Sequence, residues 1–299
     1  MMRVCVIGNC QATGLANWAR LMMPESDVQS FSLAGVDPDD SLPRAVWRDL
    51  LDRSDLVITQ VGPAHQARFG IPSVEAIQAE GRRSLPAPWI IFRGFHPDCA
   101  LLFDKGVIVN AAAGPYHSSI AAAAYLEGLD EARALTLFNA LTFSALGYFD
   151  AFGAAADIMS DEWAAIGLDA SVWLTKPLHP FMSTINHPVS EVLGDVMRQL
   201  LQRAGIAAVE PETSANDTLI SQGVWPIYPE IAGRLGLTGS TDFVLPDRPV
   251  SREAQVAGTY AALRAMGAPE TVADVGGDHP ASKPVIDRAR AFIRNYVKR

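Results

Sequence analysis

The chain has 299 residues, of which 49% are hydrophobic and 19% charged, a balance that supplies a sizeable core and excludes a disordered chain. With 24 Lys+Arg against 33 Asp+Glu the formal charge is −9, and no basic block offers the phosphate-neutralising surface that a nucleic-acid partner requires. Three cysteines, Cys5, Cys10 and Cys99, form no CxxC pair and match neither a disulfide framework nor a zinc knuckle, so reduced thiols in a cytoplasmic protein and no bound metal are expected.

Taken in chain order, the apolar run Val4 to Ile7 is too short for the core of a signal peptide, and no targeting segment is expected. The run Arg3 to Ile7, ending at Gly8, reads as a buried parallel strand. Gln11 to Met23 places Leu15, Trp18, Ala19 and Met22 at helical spacing, and Pro24 stops it. A strand is expected at Gln29 to Leu33, a helix at Arg44 to Asp52, and a third strand at Asp55 to Gln60. A helix at Ser73 to Glu80 precedes a fourth strand at Trp89 to Phe92, which leads into the loop Arg93 to Asp98. A short strand is expected at Val107 to Val109. Strands alternating with helices predict an α/β fold, a Rossmann-like parallel sheet with helices on both faces.

From Ser118 the pattern turns helical, with helices expected at Ser118 to Gly128, Glu131 to Phe149 and Ser190 to Ala204. A short strand at Ile206 to Val209 and helices at Ser251 to Met266 and Ser282 to Arg299 complete the reading. The most apolar stretch, Ala134 to Phe149, carries Thr136, Asn139, Thr142 and Ser144 and is shorter than a membrane span, so it reads as a buried helix. The expected organisation is an α/β domain over residues 1–210 and a mostly helical region over 211–299, either separate or packed on the same core.

The first strand-to-helix turn, Gly8-Asn9-Cys10-Gln11, sits at the carboxyl end of a strand, where wound sheets bind ligands. The helix N-terminus offers free amides and the positive end of a dipole, which favour a thiolate at Cys10 and could serve as an oxyanion hole. Gly8-x-Cys10-x-Ala12 approaches the nucleophile elbow, with cysteine for serine. Cys10 could equally be a small buried hydrophobe under the helix. Neither a Walker A loop nor G-x-G-x-x-G follows the strand, which argues against a nicotinamide cofactor. The spacing of His179 and His187 fits no standard metal site.

Four histidines precede proline, namely His96, His187, His179 and His279. Proline holds the preceding residue extended, on stiff non-helical segments where an imidazole can be aimed as a general base. His65 and His117 lack that argument. The run Lys176 to Pro188 is dense in polar groups and reads as a loop that carries function.

Gly8-Asn9-Cys10-Gln11 followed by Thr184-Ile185-Asn186-His187-Pro188 resembles the WcbI family of polysaccharide biosynthesis enzymes. Gly94-Phe95-His96-Pro97-Asp98 and the strand-end Gln60 are similar to that family too, and the resemblance spans about residues 3 to 205. Its members are associated with bacterial capsule assembly. The resemblance implies coenzyme A or acetyl-CoA as acyl donor and acetyl transfer to a sugar hydroxyl as acceptor. Cys10, His96 and His187 are the catalytic candidates, with His96 first as base because it follows an expected strand end and has Asp98 nearby. Gly8, Asn9, Gln11, Gln60, Arg93, Lys176, Thr184 and Asn186 are the candidates for holding the coenzyme, Arg93 and Lys176 as partners of its phosphates. The same parts could serve an esterase or thioesterase with water as acceptor, or a non-catalytic module that binds a nucleotide-like ligand.

Overall fold

The computed structural model describes residues 1–36, 41–62, 66–67, 69–104, 107–175, 179–267, 273–274 and 285–297. Two compact units divide the chain, and neither follows chain order. The first comprises Met1–Ile90, Glu162–Ala170 and Pro188–Leu219; the second comprises Ile91–Asp161, Ser171–His187 and Ile220–Arg299. Residues 220–299 share a unit with residues 91–161 and 171–187.

The first unit is built on a parallel sheet of four strands: β1 (Arg3–Gly8), β2 (Asp27–Ser32), β3 (Leu56–Thr59) and β4 (Ser84–Pro86), in the order β2-β1-β3-β4. The central strand is buried from Val4 to Gly8, as its unbroken apolar run requires. In register, Ile7 faces Phe31 on one side and Thr59 on the other, so the strands end together. The first helix, Ala12–Met22, buries Leu15, Ala16, Trp18, Ala19 and Met22, and its Trp18 Nε1 donates to Ser190 O at 2.7 Å in the helix Ser190–Arg203. On the sheet, Cys5 and Ile7 pack with Trp47, Leu51, Val57 and Ile77. These elements match the expected α/β plan.

The fourth strand is not where it was expected. Residues 89–92 are buried but form no strand, and the ladder partner of β3 is Ser84–Pro86. Pro86 and Pro88 cannot donate to a ladder beyond that point, which ends the pairing. The expected strand Ile206 to Val209 is also irregular; Val209 N instead donates to Met22 O at 2.9 Å.

The second unit contains β5 (Cys99–Asp104), which pairs antiparallel with β6 (Val107–Ile108) and β7 (Tyr116–Ser118). The expected strand at Val107 therefore does not extend the parallel sheet. The helix expected over Glu131 to Phe149 is broken into Glu131–Leu135 and Ala140–Ala145. Asn139 is extended between them, and its side chain accepts from Thr142 N at 3.0 Å, so the polar residue starts a new helix where an apolar count saw continuity. Gly147, at φ 74°, follows the second piece, and a further helix, Ala151–Ala165, went unread in the sequence. At the end, Val285–Phe292 is helical and Ile293–Val297 forms a wider turn of π type; the rest of that expected helix lies outside the described residues. No described helix is long and apolar enough to cross a membrane.

Candidate functional site

In the first unit the chemistry-bearing residues gather where β1 becomes a helix. Gln60, just past β3, accepts from Asn9 N through Oε1 at 3.2 Å and donates through Nε2 to Gln11 Oε1 at 2.9 Å and to Pro88 O at 2.7 Å. Gln11 in turn donates to Ile90 O at 2.7 Å and accepts from Ile90 N at 3.1 Å. Both glutamines are buried, and their amides stand in for the sheet ladder that residues 88–90 do not form. Gly8 is required by this arrangement, since a Cβ there would lie 2.1 Å from Gln60 Oε1. Asn9 Oδ1 accepts from Gln11 N at 2.8 Å, while Asn9 Nδ2 is buried with no partner among the described residues.

Cys10 stands before Gln11, the residue that caps the first helix. It is partly exposed, whereas Cys5 and Cys99 are buried. Its thiol does not have the lowered pKa that the helix terminus led us to expect. Burial pushes it up to about 11, and the amides of Cys10 and Gln11, which pull the other way, do not offset that. The helix begins at Ala12, and the Gln11 amide also donates to Asn9 Oδ1 at 2.8 Å.

In the second unit a cluster of side chains forms around Tyr116. Thr184 Oγ1 donates to Tyr116 Oη at 3.0 Å, and Tyr116 Oη donates to Asn186 Oδ1 at 2.8 Å. Both ring nitrogens of His187 lie 3.2 Å from the same phenol oxygen, and the two rings meet at 88°. Ser183 N donates to His187 O at 2.8 Å, closing the tight loop 183–187. The structure thus brings Thr184, Asn186 and His187 together, as their sequence neighbourhood suggested. Tyr116 was missed. No motif in its own neighbourhood marks it.

His96 has a different environment. It follows no strand, contrary to expectation, and its ring is buried. Nε2 lies 3.1 Å from Met182 O and Nδ1 3.4 Å from Pro226 O, and burial pushes the pKa down to about 4. It shares no hydrogen bond with the His187 cluster. Asp98 does not orient it. The Asp98 carboxylate accepts from Ser119 Oγ (2.8 Å), Ile120 N (3.0 Å), Tyr148 Oη (3.1 Å) and Tyr228 Oη (2.8 Å), which ties it to the start of the helix Ser119–Leu126. Burial raises its pKa against those bonds. His117 is buried between Val109 O and Thr259 Oγ1 and is also pushed down to about 4.

Of the two cations expected to meet phosphates, Arg93 is buried and its Nη1 donates to Cys99 O at 2.5 Å. Lys176 lies outside the described residues, as do His65 and His279. His179 is exposed. Among the described residues no group of His, Cys, Asp and Glu could hold a metal ion.

The first unit's wound parallel sheet, with a polar strand-to-helix turn at its carboxyl edge, defines an α/β protein of the class that holds ligands beyond strand ends. The chain belongs to the family of the polysaccharide biosynthesis enzyme WcbI, whose model matches residues 3–209. A solved structure of WcbI, described as a novel polysaccharide biosynthesis enzyme, superposes with a TM-score of 0.65 and 12% sequence identity, covering 96% of this chain and 99% of that one. That structure is of the native protein without a disulfide bond between coenzyme A and one of its cysteines. At this identity the likeness shows the shared fold, including the region after residue 209. No curated protein matches the chain.

Proposed function

We propose that the protein transfers an acyl group, most simply acetyl, from coenzyme A to a sugar hydroxyl in surface or capsular polysaccharide biosynthesis. Membership of a polysaccharide biosynthesis family supports the sugar, and the fold shared with WcbI, a protein whose cysteine is known in relation to coenzyme A, supports the donor. The observation that carries the reaction type is the His187 cluster, an imidazole held among Tyr116, Thr184 and Asn186. Its loop is tight and non-helical, with a backbone bond across it, so the ring is held rather than free.

In this reading His187, not His96, is the general base. His96 is enclosed with both nitrogens against carbonyl oxygens, and a pKa of about 4 makes it a weak acceptor of protons. An unprotonated His187 nitrogen takes the proton of the sugar hydroxyl as the hydroxyl oxygen attacks the thioester carbonyl carbon. The carbon–sulfur bond then breaks, and the coenzyme leaves as its thiol with the proton returned by His187. A Cys10 thiol near 11 is almost wholly protonated at neutral pH, which favours this direct route over an acyl-cysteine intermediate. The turn at Gly8 to Cys10 is assigned to coenzyme binding by its place at the strand ends, with Gln11 and Gln60 holding its shape. Asn9 Nδ2, a donor without a protein partner among the described residues, is the group there best suited to a coenzyme acceptor atom.

The test is calorimetry with coenzyme A and acetyl-CoA, followed by release of the free coenzyme thiol from acetyl-CoA with and without a panel of sugars. Saturable binding and sugar-dependent release are expected. Absence of binding would overturn the donor, and equal release without sugar would make the protein a thioesterase.

A further inference from the structure

We propose that His96 is a positioning residue, and that it holds the loop 182–187 in place by donating its Nε2–H to Met182 O. The inference rests on the transferase reading above, with His187 as base, only for its kinetic consequence. The ring stands against two carbonyl oxygens, Met182 O at 3.1 Å from Nε2 and Pro226 O at 3.4 Å from Nδ1. A carbonyl oxygen only accepts, and burial keeps the ring neutral by pushing its pKa down to about 4, so it has one hydrogen to give. The shorter contact is the one to Met182, which assigns that hydrogen to Nε2. The loop is held through two further carbonyls: Trp225 N donates to Ser183 O at 2.8 Å, and Phe92 N donates to Ile185 O at 2.7 Å. Of these donors only His96 is a side chain, so a substitution there removes the bond and leaves both backbone amides as they are.

His96 is itself fixed. Its backbone lies in two successive turns, with His96 N donating to Arg93 O at 3.1 Å and Cys99 N donating to His96 O at 3.0 Å. Pro97 stiffens the link between those turns. Asp98 accepts from Ser119 Oγ, Ile120 N, Tyr148 Oη and Tyr228 Oη, and so fastens the run to the start of the helix Ser119–Leu126. The run His96-Pro97-Asp98 thus has two ends with different duties. Asp98 grips the body of the second unit, and His96 grips the loop that carries Thr184, Asn186 and His187. Met182 is 2% exposed, so loss of the imidazole leaves its carbonyl away from water without that donor. Its neighbour Ser183 donates through N to His187 O at 2.8 Å, which carries a shift at one end of the loop to the other.

The experiment uses the full chain, as wild type, His96→Ala and His96→Gln. In the wild type labelled with 15N-histidine, the His96 ring at pH ~7 should carry its hydrogen on Nε2 and none on Nδ1. A hydrogen on Nδ1 instead overturns the proposal, and that measurement needs no variant to fold. In His96→Ala, hydrogen exchange at the amides of Ser183 and Trp225 should speed by about ten-fold or more, while the amides of β1 stay within about two-fold. The kcat for sugar-dependent release of coenzyme should fall about ten- to a hundred-fold, with the KM for acetyl-CoA within about two-fold. His96→Gln keeps an N–H donor near the place of Nε2 but cannot take up a proton, and it should bring both exchange and kcat back to within about three-fold of wild type. Unchanged exchange in a folded His96→Ala, or an equal loss of kcat in the two variants, overturns the proposal. If the wild type transfers no acetyl group, the transferase reading fails, while the ring hydrogen and the exchange rates still decide whether His96 holds the loop.

Discussion

The turn after β1 and the loop around His187 are both rich in polar side chains, yet they use them in opposite ways. In the turn, Gln11 and Gln60 bond to each other and to the backbone of Asn9, Pro88 and Ile90. Those bonds replace a missing strand pairing, so the side chains are structural even though they sit at a strand end. Around His187, the side chains of Thr184, Asn186, His187 and Tyr116 bond to one another, and the backbone is served by Gln255. Side chains that satisfy backbone fix a shape. Side chains that satisfy each other can exchange a proton or accept a ligand in place of a partner. A strand-end position does not by itself mark which groups react.

The sharpest break of this comparison is His187→Ala. A general base typically contributes on the order of 10² to 10⁴ in rate, and kcat for acetyl transfer should fall in that range with coenzyme A affinity retained in a titration. His96→Ala measured beside it separates the two histidines; if His96 carries the rate and His187 does not, the assignment reverses.

Acidification should expose the structural histidines. His96 and His117 are pushed down to about 4, whereas in the unfolded chain a histidine titrates near ~6.5. A depressed folded-state pKa gives stability that is full above the unfolded value and is lost as pH falls towards the folded one. Each histidine should therefore cost about 2 kcal/mol between pH ~7 and ~5. Denaturant melts across that window should show the loss, and a folded His96→Gln should show a shallower slope. A flat profile would mean that these rings are not held neutral.

Gly8→Ala tests the turn as a shape. Its Cβ would overlap Gln60 Oε1, so Gln60 must move and give up bonds to Asn9, Gln11 or Pro88. The expected loss is about 1–3 kcal/mol of stability, read by urea unfolding. An unchanged midpoint would show that the glutamine is not wedged against the turn.

The smallest effect is expected at Cys10. With its thiol near 11, alkylation at neutral pH should be slow for a partly exposed cysteine, and Cys10→Ala should retain transfer to within about ten-fold. Rapid modification by iodoacetamide, or acetyl found on Cys10 by mass spectrometry of the protein during turnover, would restore the covalent route.

Much of the first unit could be read from the sequence because its signals are local. Val4 to Ile7 is an unbroken apolar run, Leu15, Trp18, Ala19 and Met22 repeat at helical spacing, and Pro24 stops the helix; each feature acts within a few residues. The failures have local explanations too. Apolar density at residues 89–92 signalled burial but not pairing, and Asn139 broke an apolar run by capping a new helix. Thr184, Asn186 and His187 were found as a group because they are adjacent in the chain. Tyr116 was not, because nothing within its own neighbourhood announces a bond to a residue 71 positions away.

The sequence by itself determined the α/β plan, the parallel strands β1 to β3 with their helices, and the residues present at the first turn and at the 184–187 loop, since strand, helix and turn preferences are set by near neighbours. Only the tertiary structure decided which buried histidine lies against carbonyl oxygens and which joins a hydrogen-bonded cluster of side chains, and that burial raises the pKa of the Cys10 thiol. Those outcomes depend on desolvation and on partners brought from distant segments. The free energy of a charge or a hydrogen bond is set by what surrounds it after folding, and no local pattern records that.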